Sequence, residues 1–193
     1  MEKDNYNKGF LCLVNLFNLI LKKDKDKSLR RFHPWVFSGA IQQVEGELEE
    51  GDIVEVYAQN GKYLGTGHYQ IGSISVRVFE FEQQEITIDY WKTKLATAIN
   101  LRKRLGLLDS TETTIFRLVH AGGDYLPGLI IDFYNGTAVL QCHSIGMWKL
   151  SFVFSNILKE LLGNQLVSVY DKSSETLPFK AGLEPKNEYL FGA

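Results

Sequence analysis

Cysteine is nearly absent: Cys12 and Cys142 are the only two in 193 residues. Two thiols so far apart make neither a zinc motif nor a disulfide framework, so both read as small hydrophobes in a reducing cytoplasm. Histidine is sparse too. His33, His68, His120 and His143 are dispersed, and no carboxylate pair stands at metal-ligand spacing from any of them. No metal site is expected. Long apolar runs are also missing. Phe10–Leu21 is interrupted by Asn15 and Asn18, is too short to cross a bilayer, and is followed by no small-residue cleavage site. No membrane role is expected. An excess of charge of one sign is absent as well, with 21 Lys and Arg against 23 Asp and Glu and a net charge of −2. That balance argues against a protein that coats nucleic acid indiscriminately.

A catalytic signature is lacking. Gly65-Thr66-Gly67 begins like a phosphate-binding fingerprint, but Gln70 stands where the third glycine belongs and no βαβ unit surrounds it. A strand of a barrel explains those glycines better. Gly122-Gly123 has no helix N-terminus behind it to receive a phosphate. Neither cysteine has an activating partner, and no serine lies in a nucleophile elbow. Asp132 and Asp171 fall near strand ends, where ordinary turns are commoner than sites. No catalytic, cofactor-binding or metal-binding residue is assigned.

What the chain does have is a local basic and aromatic segment. Residues 22–31 carry Lys22, Lys23, Lys25, Lys27, Arg30 and Arg31 against Asp24 and Asp26, and Phe32-His33-Pro34-Trp35-Val36-Phe37 follows directly. Cations attract phosphate, flat rings stack on bases, and the proline stiffens the backbone between them. Structured RNA is the expected ligand. Arg30, Arg31 and His33 are expected to contact it, with Lys22, Lys23, Lys25 and Lys27 adding sequence-independent affinity. Trp35 is expected to be largely buried beside Val36 and Phe37, since a Trp next to a helical turn is usually a core plug. The acidic run Glu45, Glu47, Glu49 and Glu50 reads as a solvated turn.

The expected fold is mixed β and α+β. Residues 1–18 form an N-terminal extension, although a first strand falls within 11–22. Residues 19–83 form a small β-barrel, 84–106 a linker helix, and 107–193 an α+β domain of three strands, a helix and a strand. In the barrel, His33–Phe37 reads as a helical turn, Ala40–Val44 as a strand, and Asn60-Gly61 as the hairpin between Asp52–Tyr57 and Lys62–Tyr69. Ser73–Phe81 alternates. The period changes over 88–106, where Trp91, Leu95, Ala98, Leu101 and Leu105 share a helical face and Gly106 stops the run. Thr114–His120, Leu129–Tyr134 and Thr137–His143 read as strands, the last two joined at Asn135-Gly136. Met147–Leu162 is a helix with Leu150, Phe154, Ile157, Leu158 and Leu161 inward, followed by strands at Leu166–Asp171 and Glu188–Phe191.

Four ordered segments carry a family resemblance: Arg31–Ile41 (RFHPWVFSGAI), Gly61–Tyr69 (GKYLGTGHY), Ser73–Phe79 (SISVRVF) and Arg117–Asp132 (RLVHAGGDYLPGLIID). Together they resemble the class I large-subunit ribosomal RNA cytosine-C5 methyltransferases over about residues 19–190. The resemblance implies an N-terminal PUA barrel that binds RNA, a central α+β domain, and a Rossmann-like domain beyond residue 193. The S-adenosylmethionine site and the catalytic cysteine of the family lie in that third domain, so neither maps onto a residue here, Cys12 and Cys142 included. Lys172 stands where the family usually has arginine, and lysine lacks the bidentate fork. The abrupt ending Phe191-Gly192-Ala193 suggests part of a longer chain. The implied function is ribosomal RNA binding and substrate positioning in the cytoplasm, without methyl transfer by these residues alone. A stand-alone PUA-type RNA-binding protein and a structural homodimer are the competing expectations.

Overall fold

The structure, a computed structural model, describes residues 16–177, 183 and 185–192. Cys12 and the expected extension, apart from Leu16–Asn18, lie outside those residues. The chain divides into two compact units, residues 1–88 and 89–193.

The first unit is one six-stranded sheet built from β1 (Leu16–Leu21), β2 (Trp35–Phe37), β3 (Ile41–Val44), β4 (Ile53–Tyr57), β5 (Tyr63–Tyr69) and β6 (Ile74–Glu80). The strand order is β2-β6-β5-β4-β1-β3. β1 runs parallel to β4 and antiparallel to β3. β2 and β3 stand at opposite edges, yet only the 3₁₀ turn Ser38–Ala40 separates them in sequence. The chain from Phe37 to Ile41 can reach at most about 14 Å. A flat sheet of this order would hold its edges about 24 Å apart, at about 4.8 Å per gap. The sheet therefore curls until its edges approach, in keeping with the expected small β-barrel. Inward alternation fills the curl: Leu19, Leu21, Val36, Val54, Val56, Leu64, Val76 and Val78 are buried, with Leu29 plugging one side.

Asn60-Gly61 makes the turn between β4 and β5, with Gly61 at φ +79°. The segment 28–44 differs from expectation. The helical turn falls at Leu29–Arg31, whereas Trp35–Phe37 is extended and pairs with β6. Proline holds the preceding His33 away from helical angles, and Trp-Val-Phe favours a pleated strand, so the helix-like reading of His33–Phe37 fails. Glu45, Glu47 and Glu49 are exposed, but Glu50 is buried.

The second unit has a five-stranded sheet: β7 (Ile115–His120), β8 (Leu129–Tyr134), β9 (Thr137–Cys142), β10 (Ser168–Asp171) and β11 (Glu188–Phe191). Their order is β11-β10-β9-β8-β7. Asn135 at φ +46° and Gly136 at φ +97° make the two-residue turn that Asn-Gly encodes between antiparallel β8 and β9. β10 lies parallel to β9, and parallel neighbours need a crossover, supplied here by α2 (Ile145–Lys149) and α3 (Ser151–Leu162). One helix was expected over 147–162; the chain breaks it at Leu150, and Leu162 is buried in place of Leu161.

The helix expected as a linker is α1 (Ile88–Arg104), and it packs within the second unit. Fully buried Trp91 meets Phe154 edge-on at 5.7 Å. Leu101 and Leu105, expected inward, are exposed. The buried stripe runs Trp91, Leu95, Ala98 and then Arg102, spaced four, three and four residues apart, so arginine occupies the position where an apolar residue was expected. Among the described residues, no helix is long and apolar enough to cross a membrane.

Candidate nucleic-acid interface

The turn between β1 and β2 folds around Leu29, which is 2% exposed and anchors the 3₁₀ turn to the barrel core. Its neighbours face outward. Lys22, Lys23, Lys25, Lys27, Arg30, Arg31 and His33 are all exposed. The seven do not form a single cluster. Lys22, Lys23, Lys27 and Arg30 line a groove of about 470 Å³ with Asp24 and Asp26, while Lys25 lines a different one. Arg30 is tied to Asp26, donating from Nε at 2.7 Å and from Nη2 at 2.6 Å. The Lys22 ammonium donates to the Gly39 carbonyl at 3.0 Å, which pulls it toward the turn that joins β2 to β3.

The second groove, about 460 Å³, is mostly apolar and lies between the Lys25–Leu29 turn and β2. Trp35 and Phe37 line it. Trp35 is 37% exposed and Phe37 49%, whereas Val36 between them is 2% exposed. That corrects the expectation of a buried Trp35. In a strand, neighbouring side chains point to opposite faces, so burying Val36 turns Trp35 and Phe37 outward. The available signal was the proline-led aromatic, aliphatic, aromatic alternation, which the helical reading obscured.

The outward rings are held in place. His33 meets Trp35 edge-on at 5.3 Å, and Phe37 meets it edge-on at 6.4 Å. The Arg77 guanidinium lies over the indole at 5.9 Å, as expected from the Trp35–Arg77 pairing of β2 with β6. Arg77 is itself fixed by donation to Gln70 at 3.0 Å. Partial burial lowers its guanidinium from the ordinary value, but arginine keeps its charge in proteins. The Trp35 amide donates to His33 Nδ1 at 3.4 Å. Phe32, 73% exposed, takes left-handed angles (φ +60°) at the end of the 3₁₀ turn and packs edge-on against Phe81.

The other polar clusters support the fold. In the first unit, His68 is buried against Phe79 at 4.8 Å. In the second, Arg102 grips Asp124 with two bonds of 2.6 and 2.8 Å and donates to the Arg117 carbonyl at 3.0 Å. Burial alone would raise the Asp124 carboxyl, but the Arg102 bonds and the His120 amide hold it below the usual carboxylate range. Arg117 and Asp132 form a more exposed pair at 2.9 Å. Asp171 at the end of β10 is buried and accepts from the Ser173 amide, the Ser173 hydroxyl and the Trp148 indole N–H. Burial outweighs those donors and raises its carboxyl. Cys142 is fully buried, and burial pushes its thiol up to about 12, so it stays protonated at neutral pH and is no nucleophile.

The two glycine motifs have structural surroundings of their own. A Cβ at Gly67 would lie 2.5 Å from the Arg77 carbonyl oxygen, so that glycine serves strand packing. Gly122 and Gly123 sit in a 3₁₀ turn, Ala121–Asp124, with β8 the next regular element after it.

Residues 19–81, which form the curled sheet, match the family model of the PUA-like domain. Curated relatives extend the similarity to the second unit. The chain is 39% identical over 176 residues to the "Ribosomal RNA large subunit methyltransferase I" of Alteromonas mediterranea, covering 90% of this chain and 43% of that protein. It is 37% identical over 183 residues to the protein of the same name in Aliivibrio fischeri, covering 91% and 44%. The chain thus spans less than half the length of these relatives. A solved structure from Streptococcus mutans, of a protein proposed to be a SAM-dependent methyltransferase, shares the fold with a TM-score of 0.72 at 17% identity, over 91% of this chain and 43% of that one. A second such structure, SMU.776 complexed with SAH, matches equally.

Proposed function

We propose that this chain is the RNA-binding and substrate-positioning part of a SAM-dependent ribosomal RNA cytosine-C5 methyltransferase. Its first unit holds ribosomal RNA, and the cofactor and the nucleophilic cysteine are supplied by other residues than these. The single observation that carries the reading is the conjunction on a PUA-like sheet of an exposed cationic turn, Lys22–Arg31, with exposed rings at His33, Trp35 and Phe37. The similarity to ribosomal RNA methyltransferases across both units supports the wider assignment. Work in the cytoplasm, on ribosomal RNA, follows from the same reading.

The test is a parallel calorimetric titration with S-adenosylmethionine and with a pool of ribosomal RNA fragments. RNA binding without cofactor binding is expected. Cofactor binding would overturn the claim that these residues do not act alone, and failure to bind RNA would overturn the interface. Replacing Arg30 and Arg31 together by Ala is expected to lower the slope of log affinity against log salt by up to about two. Because Asp26 already neutralises Arg30 in part, Arg31→Ala alone should account for at least half of that loss. An unchanged slope removes both from the interface.

A further inference from the structure

Resting on that reading, we infer that the RNA is unpaired where the first unit holds it, with one base entering the groove between the Lys25–Leu29 turn and β2 and stacking against Trp35. Two adjoining grooves of different chemistry point to this. One is cationic, with Lys22, Lys23, Lys27 and Arg30 at its rim, and suits a phosphate backbone. The other is apolar, walled by Leu21, Leu29, Trp35 and Phe37, with Lys25 also lining it. Lys22 joins them, since it lines the first and donates to Gly39, which lines the second. A backbone in the cationic groove therefore has an apolar pocket beside it.

Base-paired RNA has no use for such a pocket. In a duplex the base faces are stacked on one another, and the protein meets phosphates, 2′-hydroxyls and groove edges. An unpaired base offers a free π-face and gains from an apolar wall. The indole is also prepared for that contact. His33, Phe37 and Arg77 fix it on three sides while leaving it 37% exposed, so little side-chain freedom is lost when a base stacks.

The probes are an oligouridine RNA and an RNA duplex of the same length, each titrated into the full chain by fluorescence anisotropy. Wild type is expected to favour the single strand. Trp35→Ala should weaken single-strand binding by between about 5- and 150-fold, the range for loss of one stacked base. It should leave duplex affinity and the salt slope unchanged, while Trp35→Phe keeps most of the affinity. Quenching of tryptophan emission by oligouridine in the wild type, lost in Trp35→Phe, reports the same contact without relying on the alanine variant's folding. Equal affinity for both RNAs, with no effect of Trp35→Ala and no quenching, overturns the inference and leaves the RNA-binding reading standing. Failure of the wild type to bind either RNA overturns both.

Discussion

At the scale of single residues, two buried carboxylates pull stability in opposite directions. Asp124 is held ionised by Arg102, with side chains only 6% and 9% exposed. Its folded-state value lies below the unfolded one, so the stability it contributes is present above about pH 4 and is lost as pH falls through the folded value. Arg102→Ala leaves that carboxylate buried without its partner and should cost about 3–5 kcal/mol at pH 7, read from urea midpoints. A loss under 1 kcal/mol would mean that Asp124 finds water instead. Asp171 has its folded value raised, first by burial, so ionising it costs stability as pH rises through that value. Asp171→Asn removes the titration while keeping an acceptor for the Ser173 amide. The stability of the variant relative to wild type should therefore climb as pH rises above about 4, the unperturbed carboxylate value. A pH-independent difference would show that Asp171 titrates normally.

At the scale of elements, close strand approach decides what β5 can carry. The Cβ absent from Gly67 would meet the Arg77 carbonyl oxygen at 2.5 Å and a Val76 methyl at 2.7 Å. Gly67→Ala must push β6 away from β5, and a loss of about 1–3 kcal/mol or more is expected. Amide exchange should rise selectively across β5 and β6, and a uniform rise would refute the local cause. Elements of this kind were readable in advance where the determinant is local. Asn60-Gly61 and Asn135-Gly136 announced their turns because Gly61, Asn135 and Gly136 take the positive φ that Gly and Asn tolerate. The reading failed where partners distant in sequence decide. Arg102 looks like a solvent-facing cation until Asp124 is seen beside it, and Leu101 then has to face outward. Trp35 looks like a plug until Val36 is seen to fill the core and Arg77 to cover the indole. The cations proposed to hold RNA stand as a run in the sequence, but their division between two grooves could not be read there, because that depends on how the turn closes over Leu29.

At the scale of the whole molecule, the two units contrast in how far apart in sequence their strands pair. In the second, β7, β8 and β9 are consecutive and join through short connections. In the first, Leu16 pairs with Ile53 and Trp35 with Arg77. Non-local pairing slows folding, so pulse-labelled exchange should find the amides of β7–β9 protected before those of β1 and β2. The reverse order would show that the curled sheet nucleates elsewhere than its long-range ladders.

The short turn Ser38–Ala40 gives that order a meaning for timing. Because β2 has β6 as its ladder partner, the rings on β2 cannot be set until the ribosome has released the chain through Glu80. The residues proposed to grip RNA thus stay unarmed through some forty further additions. A nascent chain emerges in the immediate company of ribosomal RNA, and its own topology keeps the grip open until the first unit is complete.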